Sequence, residues 1–280
     1  MFGRLLLAAG RAGRPASVAF VGVGVAAAWS GTSTHCGWFS SKSSSSAVPK
    51  GAPVPPFTLQ YFPVPATPGE IIRLLLMLGD KEWKDEKVPG TAWAKLKPNT
   101  KFGMMPILSG ADGGELIQSR AIARYLARDV AIEGALLYPS ADAWLCFQVD
   151  EAVDSLEDVR LAIIPTFAAK DQAEKERLRA ALFATDGSGK LFEGLKKLEK
   201  QLPGDGHMVG GVFTLADAWA FSVVNTYRAG FLDGVPLEGW IDELPKLKAV
   251  VDKVAAVPQI KAYYAPKAAD SKLYAYFVPR

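Results

Sequence analysis

The sequence predicts an α/β unit followed by an all-α unit, and three observations carry that reading. Up to about residue 131, short runs of strand composition are interleaved with amphipathic helical stretches. From about Ala141 the texture changes to long helical runs, without Val/Ile/Thr alternation long enough for a sheet. Prolines and glycines then punctuate those runs, at Pro165, Pro203-Gly204 and Pro258.

Each element follows from its residues. Phe57–Phe62 (Phe-Thr-Leu-Gln-Tyr-Phe) has strand composition and follows the Pro-rich Ala52–Pro56, while Pro63, Pro65, Pro68 and Gly69 mark a loop. Glu70–Leu78 reads as an amphipathic helix, apolar at Ile71, Ile72, Leu74, Leu75 and Leu78, with Glu70 at its positive end. A polar, Lys-rich connection follows. Pro106-Ile107-Leu108 is a short strand opening on proline, Ser109–Gly114 a turn, and Glu115-Leu116-Ile117 its hairpin partner. Ser119 is expected to cap a helix whose Ile122, Tyr125, Leu126 and Val130 fall at i, i+3, i+4 and i+8. Further helices are expected over Asp142–Ile164, Lys170–Ala184, Lys190–Leu202, Thr214–Ala229 and Leu244–Val257, with a final short one from Gln259. Thr214-Leu215-Ala216-Asp217 has the Thr-x-x-Asp spacing of a capping box, a structural feature.

Charge divides the chain unevenly. Residues 1–69 hold five basic side chains (Arg4, Arg11, Arg14, Lys42, Lys50) and no acid, so the remainder carries 27 basic against 29 acidic residues. The mildly acidic body lacks the basic excess that nucleic-acid binding requires. Only Cys36 and Cys146 are present, without a CxxC pair, which excludes a disulfide scaffold and a four-thiolate zinc site. His35 and His207 are the only histidines, so a multi-imidazole metal site is excluded, and a Ser-His-Asp hydrolase requires His207 as base.

The leader over 1–50 has three parts. Met1–Pro15 places arginines among leucines and alanines, Ala16–Trp29 is apolar, and Ser30–Lys50 is Ser-rich. Arg-rich, Ser-rich and acid-free composition points to an organellar transit peptide and a mitochondrial destination. The competing reading makes residues 16–29 a secretory signal or membrane anchor. At ~1.5 Å per residue that stretch reaches ~21 Å, short of a ~30 Å hydrocarbon core, and Gly22 and Gly24 weaken it further.

Several residues could carry chemistry. Tyr61 closes the first strand beside a loop, where a phenol can donate to a ligand thiolate and lower the thiol pKa; it also reads as a packed strand aromatic. A cis Met105-Pro106 bond would offer the Met105 backbone to an extended peptide, whereas a trans proline would merely turn the chain. The helix start at Gln118-Ser119 suits a carboxylate. Trp93 and Lys97, four apart, could meet a second carboxylate or belong to a surface connection. Asp150, Asp154 and Asp158 repeat at i, i+4, i+8 with Glu157 adjacent; the stripe is either a solvated face or one relieved by a divalent cation or a partner's cation. Cys146, among Leu145, Phe147 and Val149, reads as buried filler.

The order of these motifs resembles a sigma-class glutathione transferase, the class that includes glutathione-dependent prostaglandin D synthases. The likeness runs through Leu59-Gln60-Tyr61-Phe62, Glu70-Ile71-Ile72-Arg73, Trp93–Pro98, Phe102–Leu108, Gln118–Leu126, Val149–Asp158, Thr214–Asp217 and Leu244–Leu247. It implies a thioredoxin-like glutathione-binding domain over 56–131 and an all-helical domain over 138–270 that supplies a hydrophobic-electrophile pocket, in a homodimer. It further implies Tyr61 as the thiol-activating hydroxyl and Trp93 and Lys97 on the glycine carboxylate. Met105 would pair with the cysteinyl backbone ahead of a cis Pro106, Gln118 and Ser119 would hold the γ-glutamyl end, and Asp158 would reach the γ-glutamyl amine across the dimer interface. In some relatives the carboxylates matching Asp154, Glu157 and Asp158 gather a divalent cation; here Glu157 stands where Asp is common.

One departure matters. The family loop after the tyrosine usually runs Arg-Gly-Arg-x-Glu, whereas Pro63–Glu70 here is one residue longer and has no arginine. The expected activity is conjugation or isomerisation by a tyrosine-activated glutathione thiol. The Arg-less loop and apolar leader motivate a second reading, a non-catalytic ligand-binding or scaffold subunit of an organellar assembly. Side chains around Ile163–Phe167 and Tyr227–Leu232 are expected to line the electrophile pocket.

Overall fold

The computed structural model of the protein describes residues 57–110 and 114–279; the leader over 1–50, with its apolar stretch 16–29, lies outside the described residues. Strands β1 (Phe57–Tyr61), β2 (Trp83–Lys87), β3 (Ile107–Gly110) and β4 (Gly114–Ile117) form a sheet in the order β2-β1-β3-β4. Phe57, Leu59 and Tyr61 are buried while Thr58 and Gln60 are half-buried, the period-two pattern of a pleated strand. β1 and β2 run parallel, so a crossover has to join them, and α1 (Gly69–Leu78) provides it. β3 and β4 form the hairpin anticipated from the sequence, with β3 antiparallel to β1.

The segment read as a polar connection contains β2 and α2 (Gly90–Leu96). Trp-Lys-Asp-Glu-Lys has little strand propensity, but it lies at the sheet edge, where charged side chains are tolerated and pairing with β1 decides the conformation. α3 (Ser119–Ala127) begins one residue earlier than a serine cap would require. Gln118 occupies the cap position, no side chain caps the end, and Ser119 is already helical. Val130 lies beyond the helix yet is buried. A short ribbon of β5 (Ala131–Ile132) and β6 (Ala135–Leu136) then leads into the helical half.

That half comprises α4 (Ala143–Leu161), α5 (Gln172–Leu182), α6 (Lys190–Gln201), α7 (Leu215–Arg228), α8 (Pro245–Ala256) and α9 (Pro258–Asp270). A 3₁₀ turn over Ile164–Ala168 carries the chain past Pro165. α7 is buried along its whole length, and its first three turns are correspondingly rich in apolar residues. The capping box at its start is formed: Asp217 accepts from the Thr214 backbone N–H at 2.7 Å and also from that of Met208 at 2.7 Å. Among the described residues no helix is long and apolar enough to cross a membrane.

Two polar links join the sheet region to the helices. Glu70 and Arg73, both buried on α1, pair at 2.9 Å, and the Tyr264 hydroxyl of α9 donates to Glu70 at 2.8 Å. Arg73 also donates to the Phe62 and Val64 carbonyls and pairs with Asp85 of β2 at 3.2 Å. Separately, the Thr67 N–H donates to Thr226 Oγ1 at 2.8 Å, and the Thr67 and Ser222 hydroxyls bond at 2.6 Å, which seats the loop after β1 on α7. Buried polar groups satisfied in this way make the loop part of the core.

Candidate active site

Strand register gathers the site. Gln60 lies opposite Ile107, and Ile107 opposite Ile117. Tyr61, Pro106 and Gln118 are the next residues along, so all three stand at one end of the sheet. The Met105-Pro106 bond is cis. Gln118 leads into α3 with φ of 80°, a backbone region that L side chains rarely adopt.

Tyr61 is buried at 6% exposure and lines a cavity of about 670 Å³. Its ring lies against Gly69, where an added Cβ would overlap the ring atoms, so this close packing requires glycine. Burial pushes the phenol pKa up to about 12; Arg160 and Arg73 pull it down, as does the Gly69 backbone, and Glu157 pushes it up. The hydroxyl is therefore protonated throughout the neutral range and available as a donor.

The cavity opens between the loop after β1 and the helical half. Phe62, Val64 and Met105 line one side; Ile163, Ile164 and Phe167, with Tyr227, Phe231 and Leu232, line the other. Both helical segments named from the sequence thus contribute. Arg160 and Arg179 also line it, and sequence reasoning singled out neither. Arg160 sits in the last turn of α4 and, with Arg73, is a cation that pulls the Tyr61 pKa down. Cations absent from the loop are thereby present on two helices. Arg160 is fixed by Glu157 through two bonds of 2.7 Å.

The remaining candidates are spread around this centre. Trp93 is half-buried on α2, its ring edge-on to Phe62 at 6.4 Å, whereas Lys97 is exposed just beyond that helix. Ser119 is half-buried and Gln118 exposed at the start of α3. Asp158 is exposed on α4 and lies outside the cavity lining.

The acidic stripe on α4 is relieved differently from the expectation of a cation or a partner. Arg120 pairs with Asp154 at 2.8 Å, Arg124 reaches Asp150 and Asp154, and Arg160 holds Glu157. Carboxylates already engaged by guanidinium groups are poor ligands for a divalent ion, and among the described residues no group of three or more His, Cys, Asp and Glu side chains could hold one. Cys146 is half-buried rather than buried, with its thiol donating to the Pro139 carbonyl at 3.3 Å. His207 lies between Lys253 (2.6 Å) and Asp217 (3.7 Å), stacked edge-on against Phe213, and is no part of the cavity. The hydrolase reading therefore has no base at the site.

Comparison with known proteins identifies the family and the fold. A family profile described as "Glutathione S-transferase, C-terminal domain" matches residues 157–267. Glutathione S-transferase S1 of Drosophila melanogaster is 31% identical over 206 residues, covering 73% of this chain and 76% of that protein. Hematopoietic prostaglandin D synthase of Mus musculus is 31% identical over 207 residues, covering 74% and 94%. The solved structure of prostaglandin synthase D of Nilaparvata lugens superposes with a TM-score of 0.62 at 27% identity, covering 75% of this chain and 98% of that one. Its fold, a thioredoxin-like sheet-and-helix region followed by a helical region, is the fold seen here. The chain belongs to the glutathione transferase family.

Proposed function

We propose that the protein is a sigma-class-like glutathione transferase in which Tyr61 activates the glutathione thiol for attack on a hydrophobic electrophile in the adjoining cavity. The observation that carries this is the buried Tyr61 phenol, held protonated at the sheet end and bordering an apolar cavity of about 670 Å³. Tyr61 O–H donates to the thiolate sulfur, so the thiol gives up its proton to solvent more readily. A sulfur lone pair then forms the new bond to electrophilic carbon, and the leaving group departs with its electron pair. In a glutathione-dependent isomerase the same thiolate attacks an endoperoxide oxygen.

The binding assignments are those that the family resemblance implies, and the convergence of Tyr61, Pro106 and Gln118 at one end of the sheet supports them. The Met105 backbone pairs with the cysteinyl unit ahead of Pro106, and Gln118 with Ser119 holds the γ-glutamyl carboxylate at the start of α3, where backbone N–H groups and the helix dipole favour an anion. Trp93 and Lys97 take the glycine carboxylate. Asp158, exposed on α4, meets the γ-glutamyl amine of glutathione bound by the partner in a homodimer. Arg160 and Arg73, each paired with a carboxylate, still pull the Tyr61 pKa down from positions outside the Arg-less loop, which supports the enzyme over the non-catalytic carrier or scaffold reading.

Tyr61→Phe tests the assignment. Conjugation of a generic aryl halide should fall by about 10²-fold or more in kcat/KM, the size of effect expected when a positioned proton donor is lost. Glutathione affinity, by titration calorimetry, should change little. Undiminished turnover in Tyr61→Phe would remove Tyr61 from the mechanism; absence of glutathione binding at millimolar concentration would leave only the scaffold reading.

A further inference from the structure

The loop over 63–69 contains no Lys or Arg, so positive charge at the Tyr61 end of the cavity has to come from other elements. Three arginines bear on it, and they are not equivalent. Arg73 is committed on every nitrogen: Nε donates to Asp85 at 3.2 Å, Nη1 to Glu70 and to the Val64 carbonyl at 2.9 Å, and Nη2 to the Phe62 carbonyl at 3.0 Å. It stands behind the Tyr61 ring and forms no part of the cavity lining. Arg179 does line the cavity, but its Nε and Nη1 turn to Thr166 Oγ1 and the Asp233 carbonyl, and it is not among the main charges acting on Tyr61.

Arg160 differs from both. It lines the same cavity as Tyr61, Val64 and Met105, and its side chain is only 12% exposed. Nε and Nη2 grip the Glu157 carboxylate at 2.7 Å each, and among the described residues Nη1 makes no hydrogen bond. The guanidinium is planar, so a carboxylate held on the Nε–Nη2 edge leaves both Nη1 N–H groups pointing away from it. The backbone below is tied down as well, because the Tyr227 hydroxyl donates to the Arg160 carbonyl at 3.2 Å. Orientation is therefore fixed before any ligand binds, which spares the ordering cost of a long side chain. Of the charges that pull the Tyr61 pKa down, Arg160 is the strongest.

We infer that Arg160 is a second catalytic residue, its Nη1 edge donating to the glutathione sulfur from the helical half while Tyr61 donates from the sheet end, with Glu157 as the positioning residue that aims it. No bond to Arg160 forms or breaks. The thiol proton leaves to solvent, and the guanidinium stabilises the anion left behind until its lone pair attacks. The inference deepens the transferase reading and rests on it in taking glutathione as the ligand.

The test titrates the thiol of glutathione bound to the full chain, by thiolate absorbance, in the unaltered protein and in Arg160→Met, Arg160→Lys and Glu157→Gln, each checked for folding by circular dichroism. Arg160→Met should raise the bound thiol pKa by about half a unit to one unit, which is about 3–10-fold less thiolate at a pH below it. Arg160→Lys should raise it less, since the charge stays and only the fork is lost. Glu157→Gln should lower it, because the counter-charge is gone while the amide oxygen still accepts from the guanidinium. A pair that merely held the fold together would move the thiol the same way when broken from either side, so opposite signs mark an electrostatic role. An unchanged thiol pKa in Arg160→Met, or shifts of the same sign in Arg160→Met and Glu157→Gln, overturns the inference; if Arg160→Met does not fold, Arg160→Lys and Glu157→Gln carry the same comparison of signs. The two readings separate cleanly. A thiol unshifted in the unaltered protein removes the transferase reading and this inference with it, whereas a thiol lowered there and lowered equally in Arg160→Met removes this inference alone.

Discussion

Replacing Arg73 with leucine should destabilise the protein in a pH-dependent way. Arg73 and Glu70 form an ion pair with side chains only 4% and 1% exposed, and breaking a buried pair from one side costs about 3–5 kcal/mol. The Phe62 and Val64 carbonyls also lose their donor. For a chain of this size about 1 kcal/mol corresponds to a Tm shift of about 2–4 °C, so a loss of about 6–20 °C is expected. Burial already holds the Glu70 carboxyl above its ordinary pKa, with Arg73 and the Tyr264 hydroxyl pulling it down. Without Arg73 it rises further. A carboxyl raised by folding binds its proton more tightly in the native state, so stability falls as pH climbs from the ordinary carboxylate range to the folded value. The Arg73→Leu deficit should therefore be larger at about pH 7.5 than at about pH 5, the direction in which protonation of Glu70 relieves it. Urea unfolding followed by circular dichroism at the two pH values measures it, and adding Glu70→Gln should remove the difference between them. A deficit below about 1 kcal/mol at neutral pH, or one that does not shrink in acid, refutes the reasoning.

Two further expectations concern other levels of the molecule. In Gly69→Ala the new methyl meets the Tyr61 ring; overpacking should cost about 1–3 kcal/mol, and aryl-halide conjugation should fall by at least about tenfold because the phenol is displaced, whereas wild-type kinetics would mean that the ring is not seated there. The leader is proposed to direct the protein to mitochondria, so cell fractionation with N-terminal sequencing should find a mitochondrial protein shortened within 1–50; an intact chain in a secretory membrane fraction favours the anchor.

Local patterns made much of the fold legible. Alternation in Phe57–Tyr61, the apolar face of α1, the hairpin flanking Ser109–Gly114 and the capping box before α7 each depend on neighbours close in sequence. β2 escaped because its charged residues adopt a strand only when β1 is beside them. Ser119 was read as a cap from its residue type, but the backbone places Gln118 there with φ of 80°. At the site, Tyr61, Met105-Pro106 and Gln118-Ser119 were visible as motifs, and strand register explains why they converge. The guanidiniums were harder to find. Arg160 is recognisable at i+3 from Glu157 as a helical pair, yet nothing local shows that it borders a cavity. Arg179 precedes Leu182 and Phe183 by three and four residues, on the inward face of α5, and that spacing was the available signal. The arginines that neutralise the α4 stripe come from α3, about thirty residues earlier, a pairing that only tertiary packing reveals.

The central claim is that the Tyr61 hydroxyl stabilises the glutathione thiolate. Its most direct measurement is a titration of the bound thiol, followed by the ultraviolet absorbance of the thiolate, in the unaltered protein and in Tyr61→Phe. The account predicts that bound glutathione ionises at least about one pH unit lower than a free thiol near 8.5 in the unaltered protein, and that Tyr61→Phe returns it to about the free value while glutathione still binds. An unshifted thiol in the unaltered protein, or the same lowered pKa in Tyr61→Phe, would contradict it.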